Sequence, residues 1–587
     1  MKANFDLVSL CMEAACESRD SVDKWRRQKR SLERLPSPLA DDLLRRLHTR
    51  RLLYPSLLEI FKHSAEEIDV RGENSVDAEW MAYLGAFRHL RSLNVADCHR
   101  INSSALWAIT GMNSLQELDL SRCVKVNDAG IKHILSIENL EKLHIAETGV
   151  TAEGVKLLAS LKSLSVLDLG GLPVNDMSLN SLQVLKKLQY LDLWGSKISN
   201  EGSAILSMFP KLSHLNLAWT SVTRLPNLLS LEWLNMSNCT IDSILKDSKA
   251  PLAKLVLSGA TFLNEADALL DLNANFLSFV DVSYSCLCSF YFLSKMKVIE
   301  HLNLNSCMMG DDSVEMVACI GRNLKSLNLS GTRVSSAGVG ILAGHVPKLE
   351  ILSLSQTPID DAAISYISLM PSLKFVDLSN TNIKGFIHQE GTQQEASPLS
   401  LTALQNLTQL ERLNLEQTQV RDEALYPLST FQELRYIYLK STSLADISLY
   451  YLSSIPKLIS LNICDAVLTN YGLDTFKPPA TLRMMDLTGC WLLTKDAISS
   501  FCRIHPQIEV RHEFSTKAPI DQSGPNRSSL SRLTTRSVQG TKNKGITSLS
   551  PSFIDQRLKY TRDALLALQP MPSHLASDHE KDNAVFE

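Results

Sequence analysis

A nine-residue pattern, LxxLxLxxC in its fullest form, recurs along this chain and constrains the fold more than any other feature. The first copy is LRSLNVADC at Leu90, and the last is LRMMDLTGC at Leu482. There are seventeen copies, and most begin 24 or 25 residues after the previous one. A fixed period of this length is typical of stacked repeats, in which each unit packs only on its neighbours. The 587 residues therefore need not be divided among several domains of ordinary size.

Each copy predicts a strand, a turn and a helix. The fourth and sixth positions alternate as in a strand with one buried face, and the ninth holds a small residue where the chain turns inward. Stretches such as VNDAGIKHILSI after Cys123 then show helical spacing of apolar residues behind a capping side chain. The pattern resembles the cysteine-containing, ribonuclease-inhibitor-like class of leucine-rich repeat over about residues 65–510. That resemblance implies an α/β solenoid, or horseshoe, with parallel strands on its concave side and helices on its convex side.

Two departures from the period predict local changes in this solenoid. The intervals that begin at Leu212 and Leu231 are only 19 and 21 residues long. They are too short for a full helix, so the convex side should thin there into turns or 3₁₀ structure, with a change of curvature. Between Leu373 and Leu410 the interval is 37 residues, and its excess, near 384–400, reads as an inserted surface loop.

Charge and motif content argue for a non-catalytic protein. The formal charge of −4 does not favour direct nucleic-acid binding, and no apolar run is long enough for a membrane span. Asp6 and Glu13 interrupt the start where a signal peptide would be apolar, so we expect a cytoplasmic or nuclear location or both. The basic run Trp25–Arg30 is a candidate nuclear-import signal or a solvated helix face. No GxSxG, HExxH or phosphate-binding glycine loop is present, and no cofactor or metal is expected, with the Cys286–Cys288 pair read as packing.

The predicted concave face carries an unusual concentration of aromatic side chains. Positions three, five, seven and eight of each copy point away from the core. Asp or Asn holds the fifth position in thirteen of the seventeen copies, which we interpret as hydrogen bonding between adjacent strand ends. The aromatic residues and one histidine at outward positions of copies five to nine form the candidate substrate-binding set: Tyr190, Trp194, His214, Trp219, Trp233, Phe279 and Tyr284. The alternative for Trp219 and Tyr284 is that they tuck under the rim.

Residues 1–64 contain no repeat but carry two short helical motifs. Leu7, Cys11 and Ala15 fit one helix face, and LPSPLADDLL contributes Leu35, Pro36, Leu39 and Leu43. The first motif resembles an Elongin C–binding box, with Asp6 where Ser or Thr is usual, and the second resembles a cullin box.

With the repeats, these motifs resemble the zygotic-defective-eleven family of substrate receptors for cullin ubiquitin ligases, although the armadillo-like repeats of that family are missing. The second motif also resembles the opening of an F-box, which would recruit the Skp adaptor instead. A third interpretation is a helical cap that shields the first repeat.

The C-terminal segment, residues 514–587, changes composition sharply. It is rich in Ser, Thr, Gly and basic residues, and we expect disorder. One short helix is predicted over residues 555–569. There Tyr560, Leu565 and Leu566 fit YxxxxLΦ, which resembles the motif by which translation regulators bind initiation factor 4E. Alternatively, this helix docks on the last repeat.

Together these features predict a protein-interaction molecule without catalytic activity. The favoured function is that of a substrate receptor of a cullin-type ubiquitin ligase, which binds its target on the concave face and an adaptor through the N-terminal helices. The alternative is a scaffold or translation regulator that acts through the tail motif.

Overall fold

The computed structural model of the protein describes residues 7–27, 34–245, 249–264, 269, 272–387 and 398–515. The chain divides into two units, Met1–Lys517 and Ala518–Glu587, and all the described residues lie in the first. The predicted tail helix at residues 555–569 lies outside the described residues.

The first unit is built on one parallel sheet of 19 strands, in which each strand pairs with the next repeat's strand. Two further pairs of two-residue strands lie outside this sheet: β8 (Arg224–Leu225) with β11 (Ser243–Ile244), and β10 (Thr240–Ile241) with β13 (Thr261–Phe262). The strands of the large sheet are β1 (Glu67–Asp69), β2 (Ser92–Asn94), β3 (Glu117–Asp119), β4 (Lys142–His144), β5 (Val166–Asp168), β6 (Tyr190–Asp192), β7 (His214–Asn216), β9 (Trp233–Asn235), β12 (Lys254–Val256), β14 (Phe279–Asp281), β15 (His301–Asn303), β16 (Ser326–Asn328), β17 (Ile351–Ser353), β18 (Phe375–Asp377), β19 (Arg412–Glu416), β20 (Tyr436–Lys440), β21 (Ser460–Cys464), β22 (Met484–Asp486) and β23 (Glu509–Arg511).

Short helices connect most of these strands, as the repeat predicts. The α-helices are α1 (Leu7–Ala15), α2 (Arg19–Arg26), α3 (Ser37–Thr49), α4 (Pro55–Leu58), α5 (Ala78–Leu84), α6 (Asp128–Ile134), α7 (Ala152–Leu157), α8 (Asp176–Ser181), α9 (Asn200–Ile205), α10 (Asp311–Ile320), α11 (Ser336–Leu342), α12 (Asp361–Ile367), α13 (Asp446–Leu452), α14 (Asn470–Thr475) and α15 (Lys495–Ile504). Segments of 3₁₀ helix occupy Ser103–Ile109, Leu158–Ser160, Leu182–Val184, Leu206–Met208, Tyr291–Lys295, Gly321–Asn323, Ser400–Asn406, Asp422–Thr430 and Glu513–Ser515.

The repeated leucines form one continuous core between the sheet and the convex side. In the second copy, Leu115, Leu118 and Leu120 at positions one, four and six are fully buried, and the same holds in most copies. Burial of this apolar surface is the main stabilising contribution of each repeat. The end strands β1 and β23 extend the sheet beyond the seventeen copies, with Ile68, Val70 and Val510 buried in place of leucine.

The fifth and eighth positions together build the turn after each strand. The Asp119 carboxylate accepts a hydrogen bond from the backbone N–H of Ser121 (3.0 Å), and Asn216 does the same for Ala218 (3.1 Å). These bonds fold the chain over its own strand end, whereas the sequence interpretation had them joining neighbouring strands. Such a contact does join Asn216 Nδ2 to Asp192 (2.9 Å). The eighth residue then adopts positive φ in sixteen of the seventeen copies.

The side chain at the ninth position hydrogen-bonds either to the preceding repeat or within its own turn, depending on the residue type. The thiol of Cys123 donates to the carbonyl of Val95 in the preceding repeat (3.2 Å), and Cys307 does the same to Val282 (3.1 Å). A threonine instead donates to a carbonyl of its own repeat, as Thr148 does to Ile145 (2.8 Å). Burial raises the pKa of Cys123 to about 12, so these thiols act as small hydrogen-bonding core residues.

In their described residues the two short intervals lack a convex helix, as predicted, but between β7 and β12 the convex side carries the short strands β8, β10 and β11 rather than 3₁₀ structure. The insert near 384–400 begins and ends in an antiparallel bridge between Phe386 and Leu399, and residues 388–397 lie outside the described part. The Asp361 carboxylate holds this base, since it accepts from the N–H of Gly385 (2.8 Å) and the hydroxyl of Ser400 (2.5 Å).

Helix α3 covers the open edge of the first repeat. It buries Leu43, Leu44 and Leu47 against the core. The Asp41 carboxylate accepts the backbone N–H groups of Glu66 (3.1 Å) and Glu67 (3.2 Å) at the start of β1. Burial raises the pKa of this carboxyl. The N-terminal segment thus caps a sheet edge that would otherwise be open to pairing.

Candidate functional site

Third-position side chains from six consecutive strands form a row along the concave sheet. The strand register aligns them in the order Tyr190, His214, Trp233, Lys254, Phe279 and His301. Neighbouring parallel strands lie about 4.8 Å apart, so each side chain is next to the following one. We call the five ring-bearing members, Tyr190, His214, Trp233, Phe279 and His301, the aromatic row.

The rings of this row contact one another. The Tyr190 and His214 centroids are 6.3 Å apart, and His214 stacks on Trp233 at 6.3 Å with an interplanar angle of 27°. On the other side of Lys254, the ring centroids of Phe279 and His301 are 6.1 Å apart. Trp233 is only 6% exposed, while the other rings of the row are half-buried. The row therefore consists of two preformed groups of packed rings on either side of Lys254, and these rings have little freedom to lose on binding.

Two further aromatic residues stand at the rim beside the row. Trp219 is 42% exposed and Tyr284 is 48% exposed, so they do not tuck under the rim. Both adopt positive φ (61° and 58°) at the eighth position. The Tyr284 hydroxyl accepts a hydrogen bond from Asn305 Nδ2 (3.0 Å). Trp194, at a seventh position, is half-buried and lies across Gly171, where a Cβ atom would come within 3.1 Å of its ring.

Burial keeps the histidines of the row neutral. It lowers the pKa of His214, against the opposing effect of Glu232, and lowers the pKa of His301, against that of Glu300. At one end of the row, burial and then the neighbouring Asp168 carboxylate raise the pKa of Asp192. The two histidines therefore add aromatic surface without positive charge, and the cation within the row is Lys254.

The first predicted motif lies on a helix with two different faces. Leu7 is 73% exposed, and Leu10, Cys11 and Ala14 are exposed with it. These four residues at i, i+3, i+4 and i+7 form one stripe, which we call the outer stripe. Ala15, the third member of the predicted motif, is half-buried at the edge of the helix and packs against the core.

The second predicted motif belongs mainly to the cap. Pro36 is exposed and immediately precedes α3, whereas Leu35 and Leu39 are half-buried against the core and Leu43 is buried. In this conformation the Leu43 side chain packs in the core and is not accessible to an adaptor. The tail motif of Tyr560, Leu565 and Leu566 lies outside the described residues.

Two members of the concave row, His301 and Lys254, are not in the set predicted from the sequence, although the register of the repeats identifies both as third positions. Leu10 and Ala14, which helical periodicity places beside Leu7 and Cys11, complete the outer stripe. Within the described residues, no group of three or more His, Cys, Asp or Glu is placed to hold a metal ion. None of the helices described combines the length and apolar character needed to cross a membrane.

Comparison with known proteins agrees with this architecture. A leucine-rich repeat family model matches residues 111–135, and no curated protein matches the sequence. Similar solved structures include the leucine-rich repeat protein LIC12759 of Leptospira interrogans (16% identity, TM-score 0.42), which covers 78% of this chain and 98% of its own. Internalin InlF of Listeria monocytogenes has 17% identity and a TM-score of 0.36, over 69% of this chain and 88% of its own. The plant peptide hormone receptor RGFR1, solved with RGF2, has 13% identity and a TM-score of 0.37, over 78% and 89%.

These neighbours superpose too loosely to support any inference about ligands, so the class assignment stands on the strands and turns themselves. Nineteen parallel strands, a repeated leucine core and convex helices define a leucine-rich repeat solenoid. This fold supports a role in protein–protein interaction.

Proposed function

We propose that this protein is a substrate receptor of a cullin-type ubiquitin ligase, which acts in the cytoplasm or nucleus. The outer stripe would bind an adaptor, Elongin C or Skp, and the concave face would bind the target. Such a receptor needs no catalytic residues, because it raises the local concentration of its target beside the ligase.

The observation that carries this proposal is the exposure of the outer stripe. Helix α1 buries Met12 against the cap, yet it leaves Leu7, Leu10 and Cys11 exposed. Pure capping would need only the buried face. An amphipathic helix with a second apolar face is the form in which helices dock into hydrophobic grooves. The two interpretations are therefore compatible: α3 would cap the first repeat, and α1 would bind the adaptor.

The concave face supports the substrate half of the proposal. A preformed row of packed rings, flanked by exposed Trp219 and Tyr284, has the aromatic character of interface hot spots. It suits an extended peptide segment with apolar side chains, whose anchors would lie along the aromatic row.

Adaptor binding is tested by capture of purified adaptors on the immobilised full chain. We expect the wild type to retain Elongin C or Skp, and Leu7→Arg with Cys11→Arg to abolish capture because charge is placed in the docking face. Met177→Arg is the matched control, since Met177 is 68% exposed on the convex side and should leave capture unchanged. A wild type that binds neither adaptor would remove the ligase interpretation.

The tail motif offers a second function, as a translation regulator that binds initiation factor 4E. Only the sequence pattern of Tyr560, Leu565 and Leu566 favours it. Tyr560→Ala with Leu565→Ala should abolish capture of initiation factor 4E by the full chain, and unchanged capture would dismiss the motif.

A further inference from the structure

Helix α1 is held against α3 by one carboxylate with two cationic partners. Glu13 forms an ion pair with Arg46 through one carboxylate oxygen and with Arg50 through the other. Arg46 is itself fixed by an ion pair with Asp42 one helical turn earlier (2.8 Å). Arg46 lies in the last turn of α3 and Arg50 caps its C-terminal end four residues later, so both cations meet Glu13 from the same side.

The end of α1 is capped by side chains from outside the helix. A helix leaves its last carbonyl groups without partners inside the helix. The Arg50 guanidinium donates to the carbonyls of Glu13 (3.2 Å) and Cys16 (2.8 Å). The Trp25 indole Nε1 donates to the carbonyl of Ala15 (2.9 Å). A cation at this end also complements the helix dipole.

These contacts share one side of α1, opposite the outer stripe. The residues that meet the cap are spaced at i, i+3, i+4 and i+7: Ser9, Met12, Glu13 and Cys16. Met12 and Cys16 are buried, and Ser9 lies within 3.5 Å of Arg46. The rotation of α1 about its axis is thereby fixed. With the inner side held, Leu7, Leu10 and Cys11 face solvent.

We propose that Glu13 is a positioning residue for adaptor binding, which keeps α1 helical and turned so that the outer stripe faces outward. The inference rests on the proposed function of the outer stripe. A nine-residue helix is marginal in water by itself. Without the Glu13 ion pairs, α1 must become ordered when it binds, which costs free energy. Its apparent Kd is then the intrinsic Kd divided by the fraction of molecules in which α1 is already helical and correctly turned.

The test measures two properties of the full chain for Glu13→Ala and Arg50→Ala: hydrogen exchange of the α1 amides and Kd for the purified adaptor. We expect Glu13→Ala to speed exchange in α1 and to raise Kd, each by about fivefold, as fits the loss of two surface ion pairs. Arg50→Ala removes one of these ion pairs together with the bonds to the carbonyls of Glu13 and Cys16, so we expect an effect at least as large. Glu17→Ala is the matched control, since this neighbouring carboxylate is exposed beyond the helix end.

Charge exchange separates positioning from general stability. Glu13→Arg combined with Arg50→Glu should recover part of the affinity lost in Glu13→Arg alone, while the exchange of core amides in β2 and β3 stays constant in all variants. Unchanged α1 exchange and Kd in Glu13→Ala, with a wild type that binds, would overturn the positioning role and leave the proposed function standing. A wild type that binds neither adaptor overturns both, even if α1 exchange responds.

Discussion

At the scale of single residues, the eighth position of each repeat has a backbone conformation that favours glycine, yet one copy places an exposed tryptophan there. Five copies have glycine there, including Gly195 and Gly331, whose φ values are 68° and 65°. Trp219 adopts the same conformation with a large side chain, at a cost of roughly 1 kcal/mol for an L-residue. Most other copies also carry a side chain at this place, so what distinguishes Trp219 is its size and its 42% exposure, which make the indole a strong candidate for a binding role.

We predict that Trp219→Gly changes the free energy of unfolding by less than about 1 kcal/mol, because relief of the backbone offsets lost contacts. Proteins that depend on the concave face should no longer co-purify. Gln356→Gly is the control, at the same position with φ 57° but away from the aromatic row. Denaturant unfolding and quantitative mass spectrometry of co-purifying proteins measure the two effects. If the same proteins co-purify with the wild type and with both variants, Trp219 has no binding role at the rim of the concave face.

Asp192 makes stability depend on pH. Its carboxylate accepts from the N–H of Trp194 (2.8 Å) and from Asn216, and its pKa is raised by burial and by Asp168. A raised pKa means that the folded protein favours the protonated carboxyl, so stability declines as pH rises from the unfolded value toward the folded one. Asparagine does the same turn-forming work at Asn216 and Asn303.

Asp192→Asn should therefore weaken this pH dependence, so that the stability of the variant relative to wild type is more favourable at pH 8 than at pH 4 by about 1 kcal/mol. Urea unfolding of wild type and variant across this range checks the prediction. A stability difference that is constant with pH would show that Asp192 carries no buried charge.

At the scale of elements, an aspartate at the start of one convex helix holds the start of the next. Asp176 begins α8, and its carboxylate accepts from the backbone N–H (2.9 Å) and the hydroxyl (2.6 Å) of Ser199, the N-cap of α9. The space beside this carboxylate is open only because residue 202 is glycine, since a Cβ there would lie 2.1 Å from Asp176 Oδ1. The same arrangement recurs with Asp128 and Gly154, Asp311 and Gly338, and Asp446 and Gly472.

Gly202→Ala should destabilise the protein by about 1–3 kcal/mol, because the clash outweighs the better helix propensity of alanine. Denaturant unfolding measures this cost. In an Asp176→Ala background the cost should shrink, since the acceptor that the methyl group meets is gone. Equal costs in both backgrounds would mean that the glycine serves some other purpose.

The elements were predictable to different degrees. Strands follow from leucine spacing, because positions four and six must be buried whatever the neighbours are. The end strands β1 and β23 are not among the seventeen copies of the pattern, because Ile68 and Val510 stand where leucine is usual. Several convex segments are 3₁₀ rather than α-helical, and in Asp422–Thr430 the residue Pro427 lacks the N–H group that an α-helix would use.

At the scale of the whole molecule, the repeats should differ in local stability. Each gains stability from its own packing and from its two interfaces. Between β7 and β12 the convex helices are replaced by two-residue strands, so these interfaces are smaller.

Hydrogen exchange should therefore be faster at Leu217 and Met236, whose N–H groups bond to Asn235 and Val256, than at Leu329 and Leu354, whose N–H groups bond to Ser353 and Asp377. All four amides make equivalent bonds in the same sheet, so the comparison is internally controlled. Equal protection at all four would indicate that the solenoid opens as one unit.

The two candidate surfaces show what the sequence can and cannot predict. Periodicity placed Tyr190, His214 and Trp233 on one face, and the structure brings them into contact. The same reasoning placed Leu43 beside Leu7 as an adaptor contact, whereas the structure buries Leu43 in the cap. Helical spacing shows that a face is apolar, but which neighbour covers it depends on tertiary packing.

The most direct test of the central claim is size-exclusion chromatography of the purified full chain mixed with purified Elongin C or Skp. The account predicts a one-to-one complex with one adaptor for the wild type, and no complex for Leu7→Arg with Cys11→Arg, although this variant should elute alone as a folded protein. A wild type that elutes separately from both adaptors, or a double variant that still forms the complex, would contradict the outer stripe as the adaptor-binding surface.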